Sequence, residues 1–132
     1  MLMVARKKCL DEIRSSVELA MDQLDEVSKK LKFRSIFIII PDKVQVNPDL
    51  LNSKIETWNL NVQDLDTRMP DRIIEEQLAS RGIPYFDLSE CLQGNEQFYY
   101  KIDGHFTPMG HRAAAQCLSG KLDAEIAKQL GK

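Results

Sequence analysis

The sequence predicts an α/β fold fragment with parallel strands and a long N-terminal amphipathic helix. Three stretches carry that expectation. Leu10, Ile13, Val17, Ala20, Leu24, Val27 and Leu31 recur at spacings of three and four, the period of one helix face. Phe33 to Ile40 is a continuous apolar run rich in β-branched residues and stopped by Pro41, as expected for a parallel strand buried on both faces. Pro70 to Gly82 reads as a helix with Pro at its start and Gly at its end, and a strand over Ile83 to Leu88 follows at once, giving an α/β unit.

Taken in order, the first helix is expected over residues 5–32, with Asp11, Glu12, Arg14, Asp22, Asp25 and Lys29 among the residues on its other faces. Its three heptads suit a coiled-coil seam, but they are also what a single helix needs to lie on a sheet. The strand that follows within a few residues makes helix on sheet the expected packing. Pro41-Asp42-Lys43 then falls where open α/β sheets place functional loops, with Lys43 expected as a solvated loop lysine and contact with a substrate as the alternative. Residues 44–69 are the least patterned: Asn47-Pro48-Asp49 signals a turn, Leu50 to Trp58 a short helix and Asn59 to Met69 a polar connection, with Trp58 expected to pack. In the helix over 70–82, Ile73, Ile74, Gln77 and Leu78 form the buried stripe. Cys91 to Gln97 reads as a polar loop. The last helix, over about 108–130, carries Ala114, Leu118, Leu122, Ile126 and Leu130 at four-residue steps. Gly120 costs that helix roughly 1 kcal/mol relative to Ala and marks where it would break.

Composition narrows the function classes. The 132 residues suit a single domain, since domains commonly run to about 100–150 residues. With 43% hydrophobic and 29% charged residues, the chain has the make-up of a soluble globular protein and not of a disordered one. Eighteen basic against twenty acidic residues leave a net charge of −2, a field that attracts neither nucleic acid nor anionic lipid. The longest apolar run, Ile36 to Ile40, is far short of the roughly 20 residues that span a bilayer. At the N-terminus the charges of Arg6, Lys7 and Lys8 follow the apolar residues, the reverse of a secretory signal, so the chain as given shows no export address and the compartment stays open. Cys9, Cys91 and Cys117 are odd in number and widely spaced, which favours inert thiols over a disulfide framework, a zinc site or a nucleophile.

The chemistry concentrates in one stretch, Tyr99 to His111. Asp103 and His105 stand two residues apart, so in extended backbone they share a side. Thr107 suits the N-cap of the following helix and Pro108 its first position. A turn pinned by a helix suits a histidine that takes a proton while a carboxylate fixes its tautomer. His111 falls in the first helical turn, where packing or hydrogen bonding is its expected role. A metal bound by Asp103, His105 and His111 would lack a fourth ligand placed by spacing, and no metal or cofactor is assigned.

The block Asp-Gly-His-Phe-Thr-Pro-Met-Gly-His over 103–111, followed by Arg112-Ala113-Ala114-Ala115, resembles the C-terminal catalytic block of SGNH (GDSL-type) hydrolases. Arg81 to Leu88 resembles the family's strand before that block, and Ile36 to Pro41 an earlier core strand. The Asp-x-His spacing, where many members have Asp-x-x-His, is more similar to the branch containing alginate-type O-acetyltransferases and related envelope proteins. The resemblance implies a partial three-layer α/β/α, flavodoxin-like fragment, with His105 as general base and Asp103 as its orienting acid. It also implies an acylated small-molecule or carbohydrate substrate and allows a cell-envelope parent.

A complete site of that type also needs a serine and an oxyanion hole. The family's Gly-Asp-Ser and Gly-x-Asn-Asp blocks are not in this chain, whose first glycine is Gly82, and Ser89 and Ser119 have no such context. Two strands are also few, since sheets generally hold about four to six. The chain therefore reads as the C-terminal part of an SGNH-like domain completed by the rest of a longer polypeptide, by a second subunit or by self-association. The alternative from another class is a non-catalytic interaction domain built on the long heptad-patterned helix.

Overall fold

A computed structural model describes residues 2–131. The chain forms two compact units, the first comprising residues up to 37 together with 69–85 and the second 38–68 together with 86 onward.

In the first unit, α1 (Leu2–Leu31) runs without a glycine or proline to interrupt it. It ends because Lys32 takes a left-handed φ of 55° and the Phe33 N–H returns to the Ser28 carbonyl, while Lys29 and Lys30 sit favourably at the negative end of the helix dipole. The partner of α1 here is α4 (Met69–Ser80), a helix where a sheet was expected. Arg14 meets Glu76 at 2.6 Å and Arg81 meets Asp22 at 2.5 Å. The heptad stripe of α1 is consequently split: Leu10, Val17 and Leu24 are half-buried, whereas Ile13, Ala20 and Val27 are exposed. In α4, Ile73 and Leu78 are fully buried and Ile74 and Gln77 half-buried, as their spacing predicts. Gly82 closes this helix at a φ of 64°, letting the Ile83 N–H reach the Leu78 carbonyl.

The strands are β1 (Phe37–Ile39) and β2 (Tyr85–Asp87), parallel neighbours in a two-stranded sheet. The Phe37 N–H donates to the Pro84 carbonyl and the Leu88 N–H to the Ile39 carbonyl. The apolar run is not buried on both faces as expected. Ile39 is buried, but Ile38 and Ile40 are 38% and 58% exposed, so the side they share is only partly covered.

The second unit adds α2 (Lys43–Val46), α3 (Pro48–Thr57), a 3-10 turn at Val62–Asp64, α5 (Ser89–Leu92), a 3-10 turn at Glu96–Phe98 and α6 (Pro108–Gln129). Its core joins Val46, Leu88, Leu92, Tyr99 and Ala114, with Phe98, Phe106 and Leu118 packed against them. Four expectations need correction in this unit. Cys91 and Cys117 form a disulfide that ties α5 to α6, because packing brings their Cα atoms to 6.2 Å despite 26 residues of separation. Trp58 is not a packing residue: it is 70% exposed, with the Lys54 ammonium 6.0 Å from its ring. Residues 91–97 are not wholly loop, since Cys91 and the buried Leu92 belong to α5. Finally, α6 passes through Gly120 unbroken, its length and packed N-terminal half outweighing one unfavourable residue.

Candidate active site

The turn that carries Asp103 and His105 is built from both sides. Upstream, Tyr99 is buried against Phe106, with ring centroids 4.9 Å apart, and its hydroxyl donates to the Pro41 carbonyl at 2.8 Å. Downstream, Thr107 caps α6 by accepting from the Gly110 N–H at 3.2 Å, and Pro108 occupies the first turn, as their order in the sequence predicts. Tyr99 and Phe106 form an antiparallel bridge. The Tyr100 N–H donates to the His105 carbonyl at 3.0 Å and the Thr107 N–H to the Phe98 carbonyl at 2.9 Å, which leaves residues 101–104 as the tip of a hairpin.

Asp103 and His105 are brought together at that tip, though not by strand alternation. The Asp103 carboxylate accepts the backbone N–H of His105 at 2.9 Å, an Asx turn, and the same oxygen lies 3.3 Å from His105 Nδ1. That backbone hydrogen bond, helped by the imidazole and by the charge of Lys43, holds the Asp103 carboxyl below the usual carboxylate value. Nδ1 faces the carboxylate, which leaves Nε2 of a side chain that is 86% exposed directed away from the pair. His111 takes no part in the pair. Its ring meets Phe106 edge-on, 5.4 Å between centroids at 86°. Among the described residues, no group of three His, Cys, Asp or Glu is arranged to hold a metal ion.

The roles of three further residues escaped sequence reasoning. Lys43 is no solvated loop lysine: it opens α2, and its Nζ donates to the carbonyls of Tyr100 at 3.0 Å and Lys101 at 3.2 Å. Arg68 pairs with Asp87 and also donates to Ser89. Partial burial pushes the Asp87 carboxyl up, but the hydrogen bonds from Arg68 and Ser89 outweigh it and hold the group below its usual value. Gly110 fits because its backbone approaches Phe98 too closely for any side chain, and a glycine two positions into a helix after Pro was the available sign of that approach. Beside the pair lies an open depression of about 190 Å³ lined by Lys43, Leu50, Lys54, Lys101, Ile102 and Asp103, among others.

An α/β chain with an Asp-x-His turn set before a proline-started helix has the features that the resemblance to SGNH hydrolase-like domains implies. The family model described as the SGNH hydrolase-like domain of the acetyltransferase AlgX matches residues 4–132, and the chain belongs to that family. No curated protein and no solved structure matches it. Among the described residues no helix is long and apolar enough to cross a membrane.

Proposed function

We propose that this chain supplies the acid–base half of a serine-dependent acyl-transfer site, which hydrolyses an ester or moves an acetyl group onto another hydroxyl. His105 is the general base through Nε2, and Asp103 holds the Nδ1–H tautomer and stabilises the imidazolium. The nucleophilic serine and the oxyanion donors come from another part of a longer polypeptide or from another subunit. His105 takes the serine proton as the serine oxygen attacks the acyl carbon, then gives that proton to the departing alcohol. Water or an acceptor hydroxyl reverses the sequence on the acyl-enzyme.

The observation that supports this reading most is the 3.3 Å approach of Asp103 to His105 Nδ1 at an exposed tip. The adjoining depression has room for part of an acylated small molecule or sugar. The chain alone should not turn over p-nitrophenyl acetate above buffer, because a base without nucleophile or oxyanion hole lacks most of the machinery. Combined with the polypeptide that completes the site, it should turn over, and His105→Ala should lower kcat by about two to four powers of ten. A wild-type rate for His105→Ala would end the catalytic reading.

A second reading, an oligomerisation domain, draws support from the exposed column Ile13, Ala20 and Val27 on α1. Sedimentation of the chain should then show self-association that Ile13→Glu with Val27→Glu removes. A monodisperse wild-type monomer would rule it out.

A further inference from the structure

We propose that Lys43 is a positioning residue for the acid–base pair, holding the backbone of Tyr100 and Lys101 so that the turn presenting Asp103 and His105 keeps its shape. The proposal rests on the catalytic reading of that pair.

The tip has little else to hold it. Beyond the Tyr100–His105 hydrogen bond the antiparallel pairing ends. Ile102 is fully exposed and contributes no packing, and Gly104 has no atom within 4 Å of where its side chain would begin. Among the described residues Ile102 and Gly104 thus find no apolar anchor, and polar ties carry the shape: the Asx turn of Asp103 on His105, and Lys43 Nζ on two successive carbonyls at 3.0 and 3.2 Å. An ammonium is suited to this, because its three donors can serve two acceptors at once and a charged donor makes the stronger bond.

Lys43 is itself held in place. Asp42 caps α2 in a reciprocal box with Gln45, whose side-chain amide donates to the Thr67 carbonyl at 2.6 Å. One residue earlier, the buried Pro41 offers its carbonyl to the Tyr99 hydroxyl. The segment Pro41 to Lys43 thus grips Tyr99 to Lys101 at three points, immediately before the turn. The end of the first core strand is in this way tied directly to the catalytic tip.

The test needs no turnover. In the full chain labelled with 15N, imidazole nitrogen shifts report the His105 tautomer, and backbone relaxation reports the motion of residues 101–105. The wild type should hold His105 mainly as the Nδ1–H tautomer, with residues 101–105 as ordered as the α6 N-terminus. Lys43→Met should lower the Nδ1–H population several-fold and loosen these residues while far-UV circular dichroism stays unchanged, and Lys43→Arg should restore both. A wild type without the Nδ1–H tautomer would remove the pair, and the role of Lys43 with it. A wild type with that tautomer and an unchanged Lys43→Met would overturn the Lys43 assignment alone. Loss of circular dichroism in both variants would make Lys43 a residue of general stability and overturn it equally.

Discussion

A methyl group added to Gly110 would lie 2.0 Å from the carbonyl oxygen of Phe98 and 2.9 Å from its carbonyl carbon. Both obstacles are backbone, so no rotamer change relieves them. The close approach lets the first turn of α6 dock beside the hairpin whose tip carries Asp103 and His105, with the Thr107 N–H bonded to that same Phe98 oxygen.

Gly110→Ala should consequently push α6 away from residues 96–98 and destabilise the chain by about 1–3 kcal/mol, the usual range for overpacking. Urea unfolding measures it. Wild-type stability in this variant would mean that the two segments are not held so close.

In an assembly that turns over an acyl ester, Asp103→Asn should lower kcat by up to about 10⁴ by favouring the wrong imidazole tautomer. His111→Ala should leave kcat near wild type and cost about 0.5–1.5 kcal/mol of stability through the lost Phe106 contact. Rates and melting curves of the two variants separate the roles, and a rate loss in His111→Ala as large as in Asp103→Asn would contradict them.

Burial, with the Asp42 carboxylate behind it, pushes the Tyr99 phenol up to about 12 from its usual value of 10.0. The fold favours the neutral phenol, so this contribution to stability is complete below the ordinary tyrosine pKa and is lost as pH rises from there towards 12. The phenolate absorbance assigned to Tyr99 by difference from Tyr99→Phe should emerge only near that upper limit. Tyr99→Phe should itself cost about 0.5–1.5 kcal/mol by leaving the Pro41 carbonyl without its donor. Ionisation of Tyr99 at its ordinary pKa would contradict its burial.

With Cys91 and Cys117 paired, alkylation of the native chain should label Cys9 alone, and reduction under denaturing conditions should expose all three thiols. Replacing both paired residues by Ala should lower stability by about 2–4 kcal/mol. Three reactive thiols before reduction would show the bridge to be absent.

The legible parts of this protein are those whose causes lie close together in sequence. The periodicity of α1, the proline and glycine that bound α4, and Thr107 with Pro108 at the start of α6 act within a few residues of where they appear. So does the Asp103–His105 pair, although the sequence suggested alternation along a strand and the structure closes an Asx turn instead. The resemblance to the SGNH hydrolase-like family was readable for the same reason, since three short stretches, residues 36–41, 81–88 and 103–115, carry it, and the family model matches residues 4–132.

What only the tertiary structure decided joins residues far apart in the chain. The Cys91–Cys117 bridge depends on α5 lying against α6, and the grip of Lys43 on Tyr100 and Lys101 spans 57 and 58 residues. The choice of α4 as partner for α1, and the exposure of Ile38 and Ile40, follow from which surfaces meet. The apolar pattern says only that a face prefers to leave water. Hydrophobic burial has no direction of its own, so the partner is selected by packing and polar contacts summed over the whole fold.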